Sequence, residues 1–344
     1  MRIAIGLGLA TEDWKAASAY VVDAERMGVD AVWSAEAWGH DAVSPLAFLA
    51  ARTSRIRLGT GIMQAGTRTP ALIAMTAMSM AALSEGRFMV GLGTSGPQVI
   101  EGWHGVPFDR PVQRMRETVE IVRRAVRGER VQHEGRVYRL PLPGGEGKAL
   151  RSAARPRPDV PIYLATLTPR SLEMTGEIAD GWLGTSFMPE HARVFLDHLE
   201  AGAGGAGRTL AQLDLQAAAG VVSFSDDVER LIPPRKAGLA FTLGAMGSRA
   251  HNFYNDAYRR AGYEDAALEV QRLWLDNKRE EAAARVPDEL VLKTNLLGTE
   301  AMVRQRLALY RDAGIGAVRV EPAGESLEAR VATLGRLLEL ARDV

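Results

Sequence analysis

What most limits the folds open to this chain is its rhythm: short β-type runs alternate with amphipathic helical stretches along nearly all of its 344 residues. Ile3–Leu7 precedes a helix over about 13–27 that Gly28 stops. The pattern repeats as Ala31–Ser34 with Ser44–Thr53, Ile56–Ile62 with Pro70–Leu83, and Phe88–Leu92 with Pro111–Val126. After Gly128 come a hairpin signal at Val131–Leu140 and a stretch rich in Pro and Gly, read as an insertion loop over about 128–160. Alternation resumes with Pro161–Ala165 and Pro169–Ala179, then Trp182–Ser186 and Glu190–Ala201, then a run ending near Val221–Phe224. An extended helical insertion over about 226–297 leads to a last unit: a helix at Thr299–Ala313, a strand at Ala317–Val320 and a helix at Leu327–Arg342.

About eight strands in one continuous series suit an α/β fold of the (β/α)8 barrel type, a TIM barrel with insertion segments, in a single domain over 1–344. The rival is a doubly wound open sheet, which ordinarily shows a second half of its own. In a barrel, the loops after Leu7, Ser34, Ile62, Leu92, Ala165 and Ser186 meet on one face, where a site would lie. A hydrophobic fraction of 47% supplies the core, and 42 basic against 42 acidic residues leave no net charge to favour a nucleic-acid partner. With 0 cysteines there are no disulfides and no thiolate chemistry. The apolar stretch 71–83 is too short to span a membrane. The expectation is a cytoplasmic protein acting on a small molecule.

Several segments bear candidate chemistry. Arg87-Phe88-Met89-Val90-Gly91-Leu92-Gly93-Thr94-Ser95-Gly96-Pro97 runs from a strand through glycines and hydroxyls into a helix start, so Thr94, Ser95 and Gly96 offer donors to a phosphate or ring edge; a plain loop is the alternative. In Leu164-Ala165-Thr166-Leu167-Thr168-Pro169, Thr168 caps a helix whose first amides face the same mouth. Gly59-Thr60-Gly61-Ile62 suits either a kink against a flat ligand or a bulge easing barrel closure. Just past the second strand, Glu36 and His40 combine a carboxylate and an imidazole able to handle protons near neutral pH. Trp38, Trp103-His104-Gly105-Val106-Pro107-Phe108 and His251-Asn252-Phe253-Tyr254-Asn255 supply aromatics that line a pocket or simply pack. The scattered His133, His191 and His198 lack metal-ligand spacing, so no metal is expected.

Taken together, Arg55-Ile56-Arg57-Leu58-Gly59-Thr60-Gly61-Ile62, Leu83-Ser84-Glu85-Gly86-Arg87-Phe88 through Gly93, and Ala179-Asp180-Gly181-Trp182 resemble the luciferase-like monooxygenase superfamily. The run 93–106, with its Gly-Trp-His-Gly-Val, resembles the branch that uses the deazaflavin coenzyme F420. The resemblance implies an oxidoreductase barrel whose cofactor ring rests on a non-prolyl cis peptide at Gly61-Ile62, and whose cofactor phosphate lies near Thr94–Gly96 and Ala165–Thr168. It further implies hydride transfer and a homodimer, while the aromatics Trp38, Trp103 and Phe108 suggest a small, partly apolar substrate. Sugar-phosphate and alcohol dehydrogenases of this branch carry a histidine after the acidic residue that follows strand two, and a glutamate after strand four; here those places hold Ala37 and Thr94. That departure leaves Glu36 as a ring contact or proton relay, with His40 beside it; the direction of reaction stays open, with reduction of an activated double bond or imine the first expectation. An FMN-dependent monooxygenase fed by a separate reductase, or a cofactor-binding barrel without turnover, are the alternatives.

Overall fold

A computed structural model describes residues 1–8, 11–247 and 252–344. Eight parallel strands close on themselves: β1 (Arg2–Gly6), β2 (Ala31–Ser34), β3 (Arg57–Thr60), β4 (Phe88–Gly93), β5 (Ile162–Ala165), β6 (Gly181–Gly184), β7 (Asp214–Phe224) and β8 (Ala317–Pro322). Ile3 of β1 lies in register with Val318 of β8, so the last strand pairs with the first and the sheet has no open edge there. The architecture is therefore the barrel and not the open sheet. Short strands at Met63–Gln64 and Leu296–Gly298 extend the pairing of β4 and β7 at the same end.

Local chemistry sets the helices that wrap it. Asp13 accepts a hydrogen bond from the Ala16 amide at 2.9 Å to open Trp14–Met27, and Gly28, at φ 95°, ends it in the left-handed conformation that glycine adopts without steric cost. Thr69 accepts from the Leu72 amide to open Pro70–Leu83, with Pro70 in the first turn, where a missing N–H is harmless. The helix expected from Glu190 begins instead at Arg193, because Pro189 opens a separate 3-10 turn, Pro189–His191. No helix among the described residues is long and apolar enough to cross a membrane.

The barrel interior is layered. At the N-terminal end of the strands, Arg2 and Arg57 meet Asp30 and Asp214, and the Tyr163 hydroxyl donates to Asp214 at 2.7 Å. Above this polar plug, Trp33 packs with Ala4, Met89, Tyr163 and Leu183. Trp33 fits because β3 carries Gly59 opposite it: a Cβ there would stand 2.3 Å from the indole. Only the C-terminal ends of the strands are left open.

Both insertions are tied down. The 128–160 segment contains two short strands, His133–Glu134 and Arg139–Leu140, within the expected hairpin. The buried Glu117 carboxylate accepts from Gln113 and from the amides of Arg136, Val137 and Tyr138 at 2.7–3.0 Å. The helices between β7 and Leu296–Gly298 have an apolar cluster of their own, with Leu243, Tyr258, Val270 and Leu290 at its centre.

Burial alone would raise the Glu117 pKa, but the hydrogen bonds from Gln113 and from the Tyr138, Arg136 and Val137 amides outweigh it and bring the value from 4.5 to about 2. The stabilisation is thus present above the ordinary carboxylate range and lost as the pH falls toward about 2. In urea unfolding at pH 7, Glu117→Gln should cost about 2 kcal/mol, and the gap to the unmodified chain should narrow steadily below pH ~4.5.

Candidate active site

The open end is organised by a displacement in one strand. Gly59 of β3 pairs with Met89 of β4, but farther along Met63 pairs with Leu92, so four steps on one chain match three on the other. Thr60 covers the mismatch: its hydroxyl accepts from the Gly91 amide and donates to the Gly91 carbonyl, both at 2.9 Å. The next peptide, Gly61–Ile62, is cis. Gly91 and Gly93 are needed on the facing strand, since a Cβ on Gly91 would stand 1.8 Å from the Thr60 carbonyl oxygen and one on Gly93 would stand 2.9 Å from Ile62 Cγ1. Of the two readings of Gly59-Thr60-Gly61, the bulge is present.

Glu36 holds this turn. Its Oε1 accepts from the Gln64 amide at 2.9 Å and from Arg68 Nε at 3.1 Å; its Oε2 accepts from Arg68 Nη2 at 2.9 Å and from the Ala42 amide at 3.2 Å. The carboxylate's acceptor positions are filled by its own chain, so it acts as a clamp joining the loops after β2 and β3, not as a free proton relay. Periodicity carried no sign of Arg68; the available signal was a lone arginine immediately before the Thr69 cap, in a loop on the same face. His40 is exposed, with Nε2 2.9 Å from the Thr11 carbonyl and its ring edge-on to Trp14, so it ties the loop after β1 to the loop after β2. Trp38 is 52% and Trp103 66% exposed, which places neither in a closed pocket.

Gly93 and Ala165 are register partners at the ends of β4 and β5, which puts the turns Thr94–Gly96 and Thr166–Thr168 side by side. Ser95 has φ 56° and Gly96 leads into a short helix, Pro97–Ile100. The Thr94 hydroxyl donates to the Ser95 carbonyl at 3.3 Å. In the neighbouring turn, Thr166 Oγ1 bonds Thr175 Oγ1 at 2.8 Å and Thr168 Oγ1 bonds Ser171 Oγ at 2.8 Å, so both hydroxyls face their own helix. The Leu167 carbonyl accepts from Arg260 of the helical insertion, which also reaches the Val194 carbonyl at 3.1 Å and Asp256 at 3.1 Å. Beside these turns a groove of about 780 Å³ is lined by Arg110, Arg116, Arg136 and Arg170, with Glu173 and Glu177.

A second space, of about 910 Å³, opens between the ends of β1, β7 and β8, lined by Gly6, Leu7, Ala218, Val221, Arg319 and Val320 among others. Tyr254 from the insertion bears on Arg319 there. His251 of the expected aromatic cluster lies outside the described residues. Asn252 and Asn255 both donate to the Leu243 carbonyl, at 2.8 and 3.0 Å, and so brace the insertion instead of facing a ligand.

With this geometry in view, comparison with known proteins is informative. Residues 1–317 match the sequence model of the family described as luciferase-like monooxygenase. The chain is 39% identical over 343 residues to a Mycobacterium tuberculosis protein named "Putative coenzyme F420-dependent oxidoreductase", covering 96% of this chain and 98% of that one. It is 27% identical to the 5,10-methylenetetrahydromethanopterin reductase of Archaeoglobus fulgidus, over 92% of each chain. Among solved structures, the coenzyme F420-dependent tetrahydromethanopterin reductase of Methanopyrus kandleri superposes with a TM-score of 0.81 at 23% identity, covering 97% of both chains.

The clamp predicts coupled stabilities. Glu36→Gln and Arg68→Met should each cost roughly 1–3 kcal/mol, because each leaves the other's partners short, and the double variant should cost clearly less than the two added together. Urea unfolding of the four proteins measures the coupling; strictly additive losses would show that the pair does not act as one unit.

Proposed function

Since this chain belongs to the luciferase-like monooxygenase family and is an oxidoreductase of its coenzyme F420-dependent branch, we propose that it transfers a hydride between the deazaflavin and a small, partly apolar organic substrate. The observation that carries the reading is the open mouth: a bulged strand end at Gly61–Ile62 beside paired turns able to take an anion. A flat ring needs peptide backbone free of side chains to lie against, which Gly61 offers, while Gly91 and Gly93 are covered by Thr60 and Ile62. When bound, the deazaflavin supplies a ring carbon that gives or takes a hydride, a two-electron step that needs no oxygen.

The protein's part is to hold and to shield. Gly61 and Ile62 would support the ring, while Thr94, Ser95, Gly96 and the backbone of Ala165, Thr166 and Leu167 would hold the phosphate, with Thr168, whose amide and hydroxyl pair with Ser171, fixing that turn. Arg110, Arg136 and Arg170 lend positive charge nearby. Glu36 and Arg68 fix the loop that carries the ring support, and His40 fixes the loop after β1. Ala37 and Thr94 stand where related dehydrogenases carry a histidine and a glutamate. With no ionisable side chain at either place, reduction of an activated double bond or imine fits better than oxidation of an alcohol, which needs a base to take its proton.

We also propose that a second copy of this chain covers the outer face of Pro70–Leu83. That helix is apolar nearly all round, yet Leu72, Met75 and Leu83 are 45%, 58% and 61% exposed, with Phe48 exposed on the preceding helix. A helix of this composition is ordinarily covered on every side.

Fluorescence titration with F420 and with FMN tests the cofactor assignment. The expected result is micromolar binding of F420 and much weaker binding of FMN; the reverse order would make the chain an FMN-dependent enzyme. Gly96→Asp probes the phosphate seat, because Gly96 has ordinary extended angles and a Cβ there meets only Gln98 Oε1 at 3.5 Å. The fold should persist while F420 affinity drops at least about tenfold through charge repulsion. For the dimer, light scattering should show two copies, and Met75→Glu should yield monomers.

A further inference from the structure

Among the described residues, arginines inside this barrel come with partners, save one. Arg2 and Arg57 share Asp30 and Asp214 at the closed end, and Arg68 is bound by Glu36. Arg319 of β8 lies in register with Ala4 on one side and Ala218 on the other. Residues paired across parallel strands share a face, and Ala4 packs in the interior with Trp33 and Met89, so Arg319 points inward as well. Its Nη1 lies 3.5 Å from where a Cβ on Gly61 would stand, which carries the guanidinium across the barrel to the end of β3. Among the described residues no carboxylate bears on it: burial lowers its pKa, and the one group acting the other way is the Tyr254 phenol.

A partly buried cation without a counter-ion gains from a bound anion, which makes a charge-assisted hydrogen bond that water matches only in part. The cavity beside Arg319 has about 910 Å³, and Gly6, Ala218 and Val221 line it from the neighbouring strands. Arg235, at the start of Pro233–Ala245, lines the same space, and its buried Nε has no acceptor. Glu321, Glu325 and Arg330 also line it. Glu321 and Arg330 act on the Tyr20 phenol, and neither glutamate bears on Arg319.

We propose that this cavity takes an organic carboxylate, its charged end on the Arg319 guanidinium with Arg235 nearby and its body against the strand ends at Gly6, Ala218 and Val221. Building on the hydride-transfer reading, the acid is the substrate, and Arg319 sets both its class and its orientation beside the ring seat at Gly61.

Sodium benzoate and its uncharged counterpart benzamide probe the subsite by calorimetric titration of the full chain without cofactor. Benzoate should bind at least about tenfold more tightly than benzamide, since a site built around an ionic hydrogen bond rejects an analogue lacking the charge. Arg319→Gln should abolish that preference and Arg319→Lys should keep part of it. The Gln variant should melt no lower than the unmodified chain, because it sheds an uncompensated charge, and benzoate should raise the melting temperature only where residue 319 is basic. F420 affinity, read separately by fluorescence, should change less than about twofold in Arg319→Gln. Equal binding of the two probes, or benzoate binding that survives Arg319→Gln, would overturn the proposal. A tenfold loss of F420 affinity with benzoate binding unaltered would overturn it too, assigning the guanidinium to the cofactor ring. Benzoate binding that depends on Arg319 in a chain that takes up no F420 would support the acid subsite and would instead overturn the cofactor assignment.

Discussion

Two hydrogen bonds between the Thr60 hydroxyl and the Gly91 backbone are the hinge of the open end. They replace ladder bonds that the register change between β3 and β4 removes, and so let the chain step out of the sheet at Gly61–Ile62 without leaving buried amide or carbonyl groups unpaired. Once that step is made, Ile62 seats over Gly93 and the loop beyond it comes within reach of Glu36. Bidentate pairing of Glu36 with Arg68 then locks the loops after β2 and β3 together.

The interior around this point runs from charged to aromatic to nearly bare along the barrel axis. Charge is neutralised at the closed end by the Arg2, Arg57, Asp30 and Asp214 network, where Tyr163 is held protonated, its pKa raised by burial and by the neighbouring Asp214 carboxylate. Trp33 fills the middle layer, and its bulk is accommodated only because Gly59 offers no side chain. At the top, Gly6, Gly61 and Ala218 leave space, with Arg319 the large exception. A cofactor-binding barrel needs this gradient: a solid floor against which a flat molecule is supported, and a mouth whose walls do not already occupy its place.

The helical insertion contributes to the mouth and is not an independent appendage. Arg260 bonds the Leu167 carbonyl in the turn after β5 and the Val194 carbonyl, while Tyr254 from the same segment stands by Arg319. One insertion thereby touches both the turn assigned to the phosphate and the cavity assigned to the substrate.

The amino-acid order by itself determined the alternation of strands and helices, because periodicity, the Asp13 and Thr69 caps and the Gly28 stop are local properties read along the chain. It also marked the ends of the third, fourth and fifth strands as unusual, through glycines and hydroxyls where side chains are costly. Partnership was decided by tertiary structure alone. Glu36 read as a proton carrier until Arg68, 32 positions away, was seen to occupy it, whereas Thr168, read as a helix cap, does pair with Ser171 at the start of its helix. Arg319 was invisible as a site residue, since a single arginine in a strand does not announce which face it takes or whether an acid awaits it. The reason is physical: backbone preference is settled by neighbours in sequence, whereas the fate of a charge or hydroxyl depends on which distant group shares its low-dielectric surroundings once the barrel has closed.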